Sequence, residues 1–258
     1  MAIWQAILLG LVQGLTEFLP VSSSGHLVLL QRVFRVEEPG LLLDTLFHLG
    51  SLVAVLYVFW SDVWAMLKKP FSKPVYFLVL ATIPAVVAAL LLGDFFDYAY
   101  GGALLGFGFL MTSAVLFLSG RMQGHGKAPS YKSSLVMGLF QALAILPGLS
   151  RSGSTISGGL FMGLDREEAA RFSFLMSIPA ILGSLVFQTL DLSKAVTAPA
   201  LPFWPVFLGA LAAALSSLFA IRLLLRILRK ANLRGFALYT LALGILVLID
   251  QFATHFFF

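Results

Sequence analysis

Six stretches of this chain run for about 20 mostly apolar residues each, the length a helix needs to cross the hydrocarbon core of a bilayer. They are residues Leu41–Trp60, Val75–Leu92, Gly102–Ser119, Ala169–Leu190, Phe203–Leu225 and Phe236–Phe256. Lipid offers no partner to an unpaired backbone N–H or C=O, so such stretches can only be helices. Composition agrees. Of 258 residues, 59% are hydrophobic and 11% charged, whereas a soluble domain is roughly one-quarter charged. Cysteine is absent, which excludes disulfides and thiolate metal sites. The net charge of +5 points to loop orientation rather than to nucleic-acid binding. The opening MAIWQAILLGLVQG lacks a basic n-region and a small-residue cleavage site, so it is expected to be mature chain and not a removable signal.

Two further apolar stretches do not fit this pattern. Residues 2–34 are interrupted by QGLTEFLPVSSSGH and residues 131–162 by QALAILPGLSRSGS. Each is expected to form two half-length helices that enter the membrane and return. Irregular backbone at that depth is tolerated only inside protein or beside a wet cavity. The two stretches also match one another. Gly10, Leu11, Gln13, Ser22, Ser24 and Gly25 recur as Gly138, Leu139, Gln141, Ser150, Ser152 and Gly153, each pair 128 positions apart. GSLV at 50–53 recurs at 183–186. A run at fixed spacing signals an internal duplication. The expectation is a single domain over residues 1–258, with one repeat over about 1–125 and a second over about 126–258. A returning hairpin followed by three spans leaves the chain on the opposite side. The fold expected is therefore an all-α integral membrane protein with six spanning helices and two re-entrant helical hairpins, arranged as an inverted-topology repeat.

Loop charge orients it. Residues 32–40, 93–101 and 191–202 hold Arg32, Arg35 and Lys194, while the opposite side holds thirteen Lys and Arg, from Lys68 to Arg234. The basic side is expected to be cytoplasmic, with both termini outside and the two hairpin tips meeting near the midplane.

Those tips concentrate unusual chemistry. The first carries Gln13, Glu17, Ser22, Ser23, Ser24 and His26; the second carries Gln141, Ser150, Arg151, Ser152, Ser154 and Thr155. Charges inside a membrane are costly and mark function by default. A guanidinium offers phosphate oxygens a planar fork of donors. Ser22–Gly25 and Ser150–Gly153 each precede an apolar helical run, and a helix start favours an anion. Glu17 can hold a divalent metal or act as a base, His26 can move a proton, and Ser23 can act as a nucleophile. Structural readings stand beside these. Ser22 and Ser150 can be N-caps, Pro20 and Pro147 helix breakers, and Glu17 with Arg151 an ion pair joining the halves. Asp44 and His48, four apart on one span, are expected to be a packed polar pair. A transporter or flippase is the second functional reading, because broken helices meeting at the midplane also serve transport.

QGLTEFLPVSSSGH together with PGLSRSGST closely resembles the bacterial undecaprenyl-diphosphate phosphatases of the bacitracin-resistance type, over the whole chain. The resemblance implies hydrolysis of undecaprenyl diphosphate to the monophosphate carrier for cell-wall synthesis. It implies a multi-pass protein of the bacterial inner membrane, with its site open toward the periplasmic side. Catalysis is assigned to Glu17, Ser23, His26 and Arg151. Phosphate binding falls to Ser22, Ser24, Gly25, Gly148, Ser150, Arg151, Ser152, Gly153 and Thr155. A divalent cation, Mg²⁺ or Ca²⁺, is implied at Glu17 and Gln13. Many members have Glu where this chain has Gln13, so Glu17 carries more of the metal load here. The partners implied are the polyprenyl diphosphate and membrane lipid, with bacitracin competing for the substrate, no nucleic acid, and a homodimer among the assemblies allowed.

Overall fold

The computed structural model describes residues 2–34, 40–122, 124, 126–194, 203–230 and 233–257, without side chains at 40–44, 94, 97, 100, 188–194 and 230. Arg35, His125 and the side chains of Asp44 and Lys194 thus lie outside the described residues.

Helix is the only extended regular structure among the described residues. In chain order the helices are α1 Ile3–Phe18, α2 Ser23–Val33, α3 Gly40–Val58, α4 Trp60–Lys68, α5 Lys73–Leu91, α6 Gly93–Tyr98, α7 Leu105–Ser119, α8 Tyr131–Leu143, α9 Arg151–Phe161, α10 Arg166–Lys194, α11 Phe203–Lys230 and α12 Arg234–Ile249. Four segments are long and apolar enough to cross a membrane: Lys73–Leu91, Arg166–Phe187, Phe203–Arg229 and Arg234–Thr254. Residues Thr45–Val58 with Trp60–Lys68 make a fifth if that bent pair is one span. Pro84 and Pro179 both sit inside helices, which neighbouring helices make tolerable.

The expected span over residues 102–119 starts later and differently. A π turn at Ala99–Ala103 leads into it, with Gly102 at φ 99°, and the α-helix is 15 residues long. The stretch SDVWAMLKKPFSKP, expected as a connecting loop, is largely helical. It forms α4, bent 80° away from α3. Its tryptophans Trp60 and Trp64 stack with centroids 5.8 Å apart, and the Lys68 ammonium lies 5.3 Å from the Trp64 ring. Arg171 of α10 pairs with Asp62, fastening α4 to the bundle.

Two pairs of helices show the expected breaks. Between α1 and α2 the chain turns at residues 19–22, and between α8 and α9 it turns at 144–150. The two interruptions are solved alike. Ser22 accepts a hydrogen bond from the Gly25 amide at 3.3 Å, and Ser150 accepts one from the Gly153 amide at 3.1 Å. Each serine is thus the N-cap of the helix that follows. Gly148, at φ 85°, supplies the left-handed residue that lets the second turn reverse.

Packing then brings the two breaks into contact. A Cβ on Gly25 would lie 3.0 Å from the Gly148 Cα, and one on Gly153 would lie 3.2 Å from the Pro20 Cβ. Ser152 donates to the Leu19 carbonyl at 3.0 Å. On α7, the Thr112 hydroxyl donates to the Gly148 carbonyl and accepts from the Ser150 amide, both at 2.8 Å. That single side chain satisfies two backbone groups the break leaves unpaired. Below the tips lies the main core, where Phe18 meets Phe174 edge-on with centroids 5.3 Å apart. On the outside, large apolar side chains such as Val79, Ile83, Leu90 and Leu246 are exposed, as a lipid-facing surface requires.

Candidate active site

Glu17 is the hub. It sits in the last turn of α1, 6% exposed, with its carboxylate shared among side chains from four helices. Oε1 accepts from an Arg151 guanidinium nitrogen at 2.5 Å. Oε2 accepts from the Ser23 hydroxyl at 2.7 Å and from Gln13 Nε2 at 3.1 Å. His48 of α3 brings Nε2 to within 3.3 Å of the same oxygen. Arg151 also donates to the Ser173 carbonyl of α10 at 3.2 Å.

The structure thus brings Gln13, Glu17, Ser23 and Arg151 into one cluster. Ser23 and Arg151 are each the first helical residue after a capping serine, so each projects from a helix start whose free amides favour an anion. His48 reaches across to Glu17, while its expected pairing with Asp44 lies outside the described residues. Its place in a span, four residues after Asp44, was visible; the helix it would face was not.

His26 stands apart from this cluster. Nδ1 lies 2.7 Å from the Ser22 carbonyl and Nε2 lies 2.7 Å from the Tyr239 hydroxyl of α12. Its ring stacks on Tyr239, with planes 10° apart, and meets Phe109 edge-on. Among the described residues no hydrogen bond joins His26 to Ser23 or Glu17. Tyr239 also lines a groove of about 630 Å³ with Thr16, Leu19, Val21, Ile227 and Phe236, which runs along the first break.

The remaining candidates split. Ser22 contacts Ser24 at 3.3 Å and Ser150 contacts Ser152 at 3.2 Å, so the capping hydroxyls and their neighbours form matching pairs at the two breaks. Thr155 points into the bundle, where its hydroxyl meets Ser173 at 2.6 Å and donates to the Arg151 carbonyl. Sequence reasoning had no signal for Tyr239, Thr112 or Ser173, which are single hydroxyls inside apolar spans.

Two buried glutamines complete the picture. Gln13 Oε1 has no hydrogen-bond partner among the described residues, and Gln141 lacks one at both amide atoms. These residues are counterparts in the repeated motif. Four residues after Gln13 comes Glu17, which takes its N–H; four residues after Gln141 comes Ile145, which cannot. No group of three His, Cys, Asp or Glu that could hold a metal occurs among the described residues. The orphaned Gln13 oxygen beside the Glu17 carboxylate still fits a hard cation, which prefers oxygen and is commonly held by one or two carboxylates plus substrate phosphate.

Helix breaks that meet inside a bundle of apolar helices, joined by a buried carboxylate–guanidinium pair, define a multi-pass membrane protein with a polar site between broken helices. Residues 6–246 match the family described as Bacitracin resistance protein BacA, and the chain belongs to that family. It is 45% identical to a protein named undecaprenyl-diphosphatase from Carboxydothermus hydrogenoformans, over 98% of this chain and 99% of the relative. It is 42% identical to undecaprenyl-diphosphatase 3 of Bacillus cereus, over 98% of each chain, and 42% identical to the undecaprenyl-diphosphatase of Methanobrevibacter smithii, over the full length of both.

Proposed function

We propose that this protein hydrolyses undecaprenyl diphosphate to undecaprenyl phosphate and inorganic phosphate in the cytoplasmic membrane. One observation carries the reading beyond family likeness: Ser23 and Arg151 converge on the two oxygens of Glu17. A binding site for an anion needs the arginine. It does not need a serine hydroxyl aimed at a carboxylate, so hydrolysis is favoured over transport.

The residues suit the following sequence. The diphosphate enters at the tips and draws Arg151 from Glu17 onto its oxygens, aided by the first-turn amides that the caps Ser22 and Ser150 leave unpaired. Glu17, relieved of its counterion, becomes the better base. The Ser23 oxygen attacks the terminal phosphorus and its proton passes to Glu17. The bond to the bridging oxygen breaks, and undecaprenyl phosphate departs with that electron pair. Water then attacks the phosphoserine; as the bond from phosphorus to the Ser23 oxygen breaks, Glu17 returns its proton to that oxygen, and phosphate departs with both of the water's hydrogens. Arg151 offsets charge throughout. A Mg²⁺ or Ca²⁺ ion held by Glu17, Gln13 and the substrate's oxygens would supply further positive charge. A variant in which His26 is the nucleophile requires its Nε2 to leave Tyr239 first.

The finer architecture is proposed with it: six spans and two re-entrant hairpins in an inverted repeat, basic loops cytoplasmic, and the site open to the outside. Matching contacts support the duplication. α1 lies along α11, with Gly10 against the Gly209 backbone; α8 lies along α5, with the equivalent Gly138 against the Ala81 backbone. Bacitracin, by sequestering the diphosphate, would compete with the site for substrate.

Phosphate release from a polyprenyl diphosphate by purified protein in detergent tests the function. Release that disappears with a chelator and returns with Mg²⁺ or Ca²⁺ is expected; none from the wild type with added metal would overturn it. For topology, the cysteine-free chain allows a single Gly93→Cys probe at a position with open space around it. Labelling by an impermeant reagent from outside intact cells is expected, and protection would reverse the orientation.

A further inference from the structure

We propose that Tyr239 is a positioning residue for His26: with the ring's proton held on Nδ1 by the Ser22 carbonyl, the Tyr239 hydroxyl donates to Nε2 and covers it until substrate arrives. The proposal rests on the hydrolytic reading of the site and adds a residue to it.

The argument begins at Nδ1. The atom 2.7 Å away is the Ser22 carbonyl, which can only accept, so Nδ1 must donate and carries the ring's proton. In the neutral imidazole Nε2 is then a bare lone pair. The Tyr239 hydroxyl, 2.7 Å away, donates to it. Ser22 contributes through unusual backbone: its φ of 71° is rare for a residue other than glycine. Its carbonyl accepts from the His26 amide as well, at 3.2 Å. The ring is clamped on its remaining sides by Tyr239 and Phe109, at centroid distances of 5.7 and 5.5 Å.

This arrangement does more than satisfy a buried histidine. A purely structural bond would suit a partner locked inside the core, but Tyr239 is 48% exposed and forms part of the groove wall beside Leu19 and Val21. Its hydroxyl therefore stands between the groove and the basic nitrogen. A lipid phosphate arriving along that wall meets the tyrosine first and releases Nε2 in the tautomer able to take a proton. The two rings come from helices 213 residues apart in sequence, and only the fold brings them together.

The test uses the full-length protein, purified in detergent with ¹⁵N-labelled histidine. The His26 signals are assigned by their loss in His26→Gln. Long-range ¹⁵N–¹H correlations distinguish the tautomers, and the wild type is expected to show the Nδ1–H form. Tyr239→Phe keeps the stacked ring and removes only the hydroxyl. It is expected to keep the Nδ1–H tautomer, to shift the Nε2 resonance as its hydrogen bond is lost, and to lower kcat about tenfold, the scale of one lost buried hydrogen bond, with KM within about twofold. An Nε2–H wild type would overturn the proposal without recourse to any variant. So would a Tyr239→Phe protein with unchanged spectrum and kcat. Absence of phosphate release from the wild type would instead defeat the hydrolytic reading, since the tautomer is measured without turnover.

Discussion

Ser23 and Arg151 hold equivalent places in the two broken segments and address opposite oxygens of the same carboxylate, at 2.7 and 2.5 Å from Glu17. The same kind of turn serves twice, once to present a hydroxyl and once to present a cation. The ion pair expected as a structural alternative and the proposed catalytic cluster thus share the same atoms. Stability and activity have to be measured separately to tell the two roles apart.

Arg151→Met or Glu17→Gln alone strands a buried partner, and each is expected to lower stability by about 3–5 kcal/mol. The double variant should recover most of that loss in a thermal unfolding assay. None of the three should release phosphate above about 1% of wild type, as expected when an interaction made in the transition state is removed. An active double variant would reduce the pair to a pin between halves.

Ser23→Ala is expected to fold normally and to lose about 10³-fold or more in turnover. In the wild type, rapid quenching with labelled substrate should place label on Ser23. Label on His26 would transfer the nucleophile's role to the imidazole, and no label at all would favour direct attack by water.

His48→Leu removes a group 3.3 Å from Glu17 Oε2. Its loss is expected to lower kcat roughly five- to tenfold, the size of one hydrogen bond to a buried group, while the fold is kept. Unchanged kinetics would return His48 to the packing role suggested by its spacing from Asp44.

Gln141→Leu is expected to raise stability by about 1 kcal/mol, because it removes a buried amide with no partner among the described residues and keeps a similar volume. Gln13→Leu should do the opposite, since Gln13 serves Glu17, and should also impair turnover. Destabilisation by Gln141→Leu would mean that the amide has work the described contacts do not include.

Two glycine-to-alanine changes should differ in sign. A Cβ at Gly10 would lie 2.0 Å from the Gly209 carbonyl oxygen, whereas Gly183 has open space. Gly10→Ala is expected to cost about 1–3 kcal/mol or more. Gly183→Ala should stabilise its helix by about 0.5–1 kcal/mol. Unfolding midpoints in detergent measure both.

The helix breaks and the Gln13–Glu17–Ser23–Arg151 cluster were legible in sequence because polar and charged residues are conspicuous in apolar surroundings. The recurrence at a spacing of 128 further suggested that the two interruptions belong together. What stayed hidden depends on which helix faces which. His48 gave no hint of Glu17, since their contact depends on α3 packing beside α1. Tyr239, Thr112 and Ser173 are ordinary hydroxyls until the packing sets them against a ring nitrogen, a turn and the Thr155 hydroxyl. The helix α4 was missed for a different reason. SDVWAMLKK is short and charged, so it resembles a connecting loop, and its two faces become distinct only when the chain coils.

That bent helix has a consequence for the lipid. Turned 80° from α3 and carrying stacked tryptophans beside a lysine, α4 has the makeup of a segment lying along the membrane surface. It therefore marks a level from which depth can be gauged. His48 lies ten residues back along α3 from Val58, about 15 Å at 1.5 Å per residue. That is half the roughly 30 Å hydrocarbon thickness. In the proposed orientation, a diphosphate head group must sink by about that distance to reach Arg151. Turnover should accordingly vary with the thickness of the surrounding bilayer, slowing in lipids whose long chains lengthen the descent.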